Sequence, residues 1–447
     1  MRWSTGLSFT LSGALVGGLW GCYVGSGTLG SVCSSDAQCG VDQRCRHSLC
    51  GQCNDAAIQP GELCYGNSSE EYIFGQVSYL AAYRAGPDFF PIPLAVMNHN
   101  CEQPPDREPP DEDGFKCWDL IALFLDGDGD FEPRIPAGQE AKDGIVTHIG
   151  VGNFDNSQST DIAMAVQPSD MLTEPAIAVL FDLFEVLARL DAGEVVVPDS
   201  VPVSYTPQTV HAADMDGDGL DDLLASARDE DLLMLLRADP SSPTGFAPEQ
   251  YNVVGPNPRP APPVDMDGDG DLDVVLFTQM ERELIVALND GNGGLLPSPG
   301  VDFSDTPGIG PVDLEVADFD QDGKLDVVMA FAAPFDDPSI SSSLQIYRGT
   351  GGGQLEFEQS LAGGEFPAAL LAEDINFDGW PDIVIADVRE DKLPMYINRE
   401  GSFPDIVTVD VAAAPIELLY TDANRDDVPD IVVAHANGVV AVVPAEN

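Results

Sequence analysis

Asp265-Met-Asp267-Gly-Asp269-Gly270-Asp271-Leu-Asp273, running directly into Val-Val-Leu-Phe277, is the stretch from which the rest of the chain can be read. A tightly curled backbone can aim the carboxylates at positions one, three and five at a single point. Three like charges so gathered repel one another unless a cation lies between them. A hard cation taking six to eight oxygens at about 2.3–2.6 Å suits the set, which favours Ca²⁺ over Mg²⁺. Glycine at position six permits the sharp turn, the carbonyl of position seven faces the metal, and the ninth-position Asp closes the shell.

The stretch recurs. Asp214-Met-Asp216-Gly-Asp218-Gly219-Leu220-Asp-Asp222 and Asp318-Phe-Asp320-Gln-Asp322-Gly323-Lys324-Leu-Asp326 are equally good copies. Asp374-Ile-Asn376-Phe-Asp378-Gly379-Trp380-Pro-Asp382 and Asp422-Ala-Asn424-Arg-Asp426-Asp427-Val428-Pro-Asp430 each exchange one Asp for Asn, and the last lacks the glycine. A sixth candidate, Asn153, Asp155, Ser157 and Asp161, has Gln158 in place of glycine and is expected to be weak or empty. Five calcium sites are therefore expected, with the sixth in doubt. An EF-hand starts in the same way but needs a bidentate Glu at position twelve, where these loops have Ala225, Leu276 and Met329. Each loop gives way to a short apolar run rich in β-branched residues, which reads as a strand.

Loop starts at 153, 214, 265, 318, 374 and 422 lie 61, 51, 53, 56 and 48 residues apart. A period near fifty with four short strands per unit predicts a propeller blade. In the unit around Asp318, an inner strand precedes the loop and a second runs through Val327-Val-Met329. A third covers Leu344–Arg348 and a fourth Leu355–Gln359. The acidic loop thus joins the first and second strands.

Loop and strand together resemble the FG-GAP or VCBS-type repeats of integrin-alpha-like seven-bladed propellers and of many bacterial surface proteins. The resemblance spans roughly 72–447, although the Phe-Gly and Gly-Ala-Pro signatures that name the family are mostly absent. It implies an all-β fold with calcium in the loops.

Asp126-Gly-Asp128-Gly-Asp130 is a false copy, because its ninth position is Arg134 and it comes 27 residues before the loop at 153. By register it is a third-to-fourth-strand hairpin, which makes Leu120–Leu125 and Phe131–Ile135 the outer half of a first blade without its own calcium loop. Seven blades of about 54 residues are then expected over 72–447. The last, ending with Val439–Val443, lacks an outermost strand. Tyr72-Ile-Phe74 is expected to supply it and close the ring, removing an open edge.

The net charge of −57 is extreme, and the six loops hold only about 23 of the 76 acidic residues. Such a surface excludes nucleic acid as a partner. Met1–Gly21 reads as a secretory leader, and Leu19-Trp-Gly-Cys22 resembles a bacterial lipobox, with Cys22 as the lipidated residue that ties the chain to a membrane. An ordinary leader or a short anchor is the rival reading. Residues 22–32 form a flexible tether.

Nine cysteines are odd, and removing Cys22 leaves eight, an even set suited to an oxidising compartment. Cys33, Cys39, Cys45, Cys50, Cys53 and Cys64 suggest a small disulfide module over 33–64, while Cys101 and Cys117 are expected to bridge the base of a Pro-rich excursion. Zinc is the rival for the module, since Cys50-Gly-Gln-Cys53 has ligand spacing and His47 is close by.

No nucleophile elbow, phosphate loop or zincin motif is present, and no two of the five histidines have a ligand or acid–base spacing. His148 and His211 fall on inner strands and read as solvated positions. No catalytic residue is assigned, and the chain is not expected to be an enzyme. The reading is a lipid-anchored, calcium-binding propeller of the bacterial envelope, at the outer membrane or cell surface, that binds an extracellular or envelope protein or glycan. Its ligand face would lie away from the calcium loops, on the connections at 98–116, 255–263 and 332–343. A polymer-acting enzyme with its site in the channel and a purely structural envelope protein are the alternatives.

Overall fold

The computed structural model describes residues 144–443 except 158, 169–173, 192–195, 228, 309, 335–338, 424–427 and 438. Upstream of 144 it describes Leu80 and the backbone of short strands between 20 and 134. The leader, the tether, the cysteine module, the loop residues 126–130, Asn424 and Asp426 therefore fall outside the described residues or on strands whose side chains do. So do the side chains of Cys22, Cys33, Cys39, Cys45, Cys50, Cys53, Cys64, Cys101 and Cys117.

Each repeat is an antiparallel sheet whose strands run in chain order from the inside outward. We letter the blades A (145–202), B (207–253), C (258–302), D (311–362), E (367–410) and F (415–443). Blade C carries an extra short strand, Val301–Asp302, paired with Glu283–Leu284. In the blade around Asp318, the strands run Pro311–Ala317, Asp326–Phe331, Ser343–Gly351 and Gln354–Ala362, in the order expected.

The second strand of most blades is covered on both faces. Asp222–Ala227, Val274–Thr278, Asp326–Phe331, Asp382–Asp387 and Asp430–His435 are buried at every position. This is why those segments read as continuous apolar runs instead of alternating ones. The core lies between blades: Met215, Leu224 and Leu235 of blade B pack with Val274, Leu276 and Ala287 of blade C. Leu314, Val327 and Tyr347 of blade D likewise pack with Val275, Phe277 and Val286.

Ring closure is as expected. Tyr72–Ile73 pairs antiparallel with Val439–Val440 and becomes the fourth strand of blade F. The blade count is not. Six blades are described with their side chains, where the spacing predicts seven. The stretch in question, 76–134, does form a four-stranded sheet, and its strands Lys116–Leu125 and Phe131–Arg134 make the hairpin inferred around the false loop. Its first strand, Gln76–Arg84, lies against Ile145–Gly152 and Pro415–Thr421. The unit lacks an acidic loop, and with it the ninth-position aspartate that the other blades carry.

Two further departures have simple causes. Blade A contains a helix, Leu183–Asp191, between its third and fourth strands, which accounts for the long first interval. Its first turn is held by the Asp182 carboxylate, which accepts from Glu185 N at 3.3 Å. In the Pro-rich stretch 255–263, Pro258–Pro260 is the inner strand of blade C, where a connection was expected. Proline is tolerated there because an inner strand has one unpaired edge. Pro207, Pro311, Pro367 and Pro415 likewise start inner strands, each with a register shift just after it.

Candidate functional site

The acidic loops curl around their own first residue. Asp214 accepts Asp218 N at 3.1 Å and Gly219 N at 2.9 Å. Asp318 accepts Asp322 N and Gly323 N at 3.1 and 3.0 Å, and Asp374 accepts Asp378 N and Gly379 N at 3.0 and 2.8 Å. Asp265 adds a third donor, Gly268 N at 2.7 Å. The fifth-position carboxylate accepts the amide of position seven, as in Leu220, Asp271, Lys324 and Trp380.

Gly219, Gly270, Gly323 and Gly379 all adopt φ between 83° and 98°. At the first three a side chain would meet nothing within 4 Å, so glycine is needed for its backbone conformation and not for space.

Three loops bring carboxylate oxygens within 4.8 Å of one another: Asp214 with Asp216 and Asp218, Asp265 with Asp267 and Asp269, and Asp318 with Asp320 and Asp326. These are the three best copies in the sequence. Asp374 and Asp378 make no such group, with Asn376 buried between them. In the sixth candidate, Asn153 turns its amide onto Ser157 O at 2.8 Å and Asp155 accepts from Ser157 N.

The loops differ in what stands beside them. Arg348 bonds both Asp320 and Asp322, the latter at 3.2 Å, and Lys324 reaches Asp322 at 3.0 Å. Arg399 reaches Asp378 at 3.1 Å, and Arg237 lies 3.8 Å from Asp216. No described Lys or Arg pairs with the loop at 265.

The ninth-position aspartates have a second task that sequence alone does not reveal. Asp222 accepts Met215 N of its own loop at 3.1 Å and Ala238 N beyond the third strand at 2.8 Å. Asp273 does the same with Met266 N and Asn289 N, and Asp326 with Phe319 N and Gly349 N. Asp161 clasps Phe154 N and Asp182 N. All are buried. Burial, reinforced by the loop carboxylates, pushes Asp222 up to about 7 and Asp382 up to about 8.

Buried asparagines then tie one loop to the next. Asn289 donates to Leu272 O of its own loop and to Met215 O of blade B, at 3.0 and 2.8 Å. Asn398 does the same with Pro381 O and Phe319 O. The recurrence Leu-Asn289-Asp-Gly and Ile-Asn398-Arg-Glu-Gly is visible in the sequence, but its purpose is not.

A second site lies in the central channel, a cavity of about 510 Å³. His148 and His211, on the inner strands of blades A and B, meet there with ring centroids 4.6 Å apart. His211 is buried and His148 is half-buried, where solvated positions were expected. His148 Nδ1 lies 2.9 Å from Val210 O and His211 Nε2 3.2 Å from Pro260 O. A carbonyl only accepts, so those nitrogens carry the protons and each ring stitches its blade to the next. Burial holds His211 down at about 4 and His148 well below its ordinary value, so both rings are neutral at pH 7.

Across the channel stand Asp313, Glu315 and Glu417. Burial lifts Asp313 to about 6 and Glu417 to about 8, and it raises Glu315 well above the ordinary carboxylate range, with its acidic neighbours adding to the shift.

These features define a β-propeller with acidic loops between its first and second strands. The FG-GAP-like repeat family matches residues 265–329, which hold two of the three convergent loops. No curated protein matches the chain. Among solved structures, the chain is similar to a putative 6-phosphogluconolactonase from Bacteroides fragilis, with TM-score 0.53 and 12% identity over 92% of this chain and 99% of that one. It is also similar to the periplasmic gluconolactonase PpgL of Pseudomonas aeruginosa, with TM-score 0.51 and 18% identity over 82% and 96%. BBS1N, in its complex with ARL6DN, gives TM-score 0.54 and 12% identity over 84% and 96%. At such identities the likeness speaks for the propeller fold alone.

Proposed function

We propose that the chain is a calcium-stabilised binding module of the cell envelope, held to a membrane by a lipid on Cys22, with the sheet at 76–134 as a seventh blade. The observation that carries the calcium reading is the convergence, in three successive blades, of the carboxylates at positions one and three with a third, from position five in the loops at 214 and 265 and from position nine in the loop at 318. The donor set fits: it is all oxygen, it is acidic, and Asp216 Oδ1 is buried without a hydrogen-bond partner. Positions one, three, five and nine would hold the ion together with the carbonyl of position seven. Calcium there supplies positive charge at the loop. The chain's own amides already fix the curl, so the ion would meet a preformed cradle.

Since the calcium loops are engaged in holding blades together, a protein or glycan partner is expected on the opposite face, at 98–116 and 332–343. The stretch 255–263 contributes less than expected, because Pro258–Pro260 is built into blade C. Long connections on a rigid scaffold are where recognition concentrates.

Thermal melting of the full chain with calcium and with chelator tests the first part. A melting temperature that rises with calcium and saturates supports it; identical curves overturn it. For the partner, capture from envelope extract should be lost on deleting 102–114 and should return with the segment restored. For the seventh blade, a chain starting at 144 should lose cooperative unfolding, and unaltered melting would exclude the proposal.

A further inference from the structure

We infer that the acidic loops are coupled two by two, 214 with 265 and 318 with 374, so that filling one loop of a pair raises the calcium affinity of the other. The inference rests on the calcium reading and adds to it a route between sites.

In each pair the route is a single buried side chain. Asn289 ends the third strand of blade C, beside its own loop. Its backbone N donates to the ninth-position Asp273 at 2.8 Å. Its Nδ2 donates to Leu272 O and also to Met215 O of blade B, at 3.0 and 2.8 Å. Met215 lies between Asp214 and Asp216, positions one and three of the neighbouring loop, so its peptide sets how those carboxylates are presented. Gly291 N and Gly293 N donate to Asn289 Oδ1 at 3.2 and 3.0 Å, which leaves the amide one orientation. Gln250 and Asn252 of blade B donate to Gly293 O at 2.9 and 3.3 Å and pin the hairpin from the other side.

Blades D and E repeat the arrangement. Asn398 N donates to Asp382 at 2.7 Å, and Asn398 Nδ2 donates to Pro381 O and to Phe319 O at 2.9 and 2.8 Å. Phe319 is the second residue of the loop at 318, as Met215 is of the loop at 214. Here the loops also touch directly, through Gln321 Nε2 donating to Gly379 O at 2.5 Å.

The junction between blades C and D is built differently. Gly349 stands where Asn289 does, and its N donates to Asp326 at 2.8 Å, but it has no side chain to reach across. It could not carry one, since a Cβ there would lie 2.1 Å from Leu325 O. Among the described residues, the hydrogen bonds of the loop at 318 stay within blade D or go on to blade E. Those of the loop at 265 stay within blade C, and Asn289 beside it reaches back to blade B. The contact between C and D is apolar packing, which fixes no peptide of either loop.

Asp273 and the carbonyl of Asp271, two of the groups that would hold the ion, flank the Leu272 carbonyl that Asn289 holds. Ordering them steadies Asn289, and through it the peptide of Met215. The loop at 214 then loses less freedom when it fills, and by linkage the effect is mutual. Plain repulsion between two filled loops would have the opposite sign.

Amide exchange of the peptides carrying each loop, read by mass spectrometry along a calcium titration of the full chain, reports the loops separately. Asp267→Asn with Asp269→Asn disables the loop at 265, and Asp320→Asn with Asp322→Asn disables the loop at 318; all four keep an acceptor oxygen. Disabling 265 should weaken calcium binding at 214 about fivefold or more, whereas disabling 318 should leave 265 within about twofold. Both variants remove the same charge from a neighbouring loop, so the difference between them isolates the link. Asn289→Ala should abolish that difference; should this variant fail to fold, the two junctions of the Asn289 chain still decide. Equal effects at the two junctions, no effect at either, or a difference that survives in folded Asn289→Ala would overturn the inference and leave the calcium reading standing. Loops that do not respond to calcium at all would overturn the calcium reading, and the inference with it.

Discussion

The rim loops and the channel wall are built from the same kind of side chain placed in opposite surroundings. At the rim, Asp214, Asp265 and Asp318 each accept two or more backbone amides and sit partly in water. In the channel, Glu315 and Glu417 have like charges for neighbours, and each accepts one backbone amide, that of Val316 and Leu418 respectively. A count of acidic residues cannot separate these cases. What separates them is the supply of N–H donors: the curled loop offers a cluster of amides, while an inner strand has committed most of its own to the sheet.

The largest expected effect tests the rim's hidden member. Asp273→Ala should destabilise the chain by about 3 kcal/mol or more, because it leaves the amides of Met266 and Asn289 buried without acceptors. Asp267→Ala, on the exposed side of the same loop, should cost under about 1 kcal/mol when calcium is absent. Chemical denaturation of both variants in chelator checks the contrast, and equal losses would break it.

Next in size is calcium itself. At a hundredfold excess over the dissociation constant, each loop that binds should add about 2.7 kcal/mol. The loop at 265, which has no basic neighbour among the described residues, should fill before the loop at 318, where Arg348 and Lys324 already sit on the carboxylates. Site-resolved titration would show the order.

The channel wall, like the buried ninth-position aspartates of the rim, should make stability fall as pH rises. Burial lifts Glu417 from an ordinary 4.5 to about 8, so the folded chain keeps a proton there that the unfolded chain has lost by neutral pH. The stability this contributes is complete below about 4.5 and is lost as pH rises through 8. Glu417→Gln should therefore match the parent near pH 4.5 and become progressively more stable than it towards pH 8. Melting temperatures across that range would show it, and a constant difference would contradict the assignment.

The smallest effect sharpens the comparison among loops. Arg348→Ala should raise calcium affinity at Asp318–Asp326 severalfold, since an exposed ion pair is weak and easily displaced. Calorimetry against the parent measures it.

Much of the fold is legible in the residues themselves. The period of the acidic loops predicts four-stranded blades with the loop between first and second strands, and register alone marks Asp126–Asp130 as a hairpin. The strand at Tyr72 is foreseeable because Tyr72-Ile-Phe74 has strand character and Val439–Val443 reads as a third strand in need of a neighbour. The helix at 183–191 is not, since a 61-residue interval looks like ordinary variation in a period near fifty. Nor is the inner strand at Pro258–Pro260, because proline usually marks irregular chain and only an unpaired edge makes it acceptable. His148 and His211 read as unrelated, because nothing in their spacing shows that adjacent inner strands bring their rings within 4.6 Å.

Residues a few positions apart are enough to dictate the repeat, the curl of each loop and the strand beyond it, so these belong to the sequence. Only the assembled propeller decides which carboxylates hold backbone amides, which asparagines bind one blade to the next, and which acids face one another across the channel. Those contacts join residues up to about eighty positions apart, as Asn398 and Phe319 are. Their partners are mostly backbone groups, which every residue carries and no sequence pattern marks.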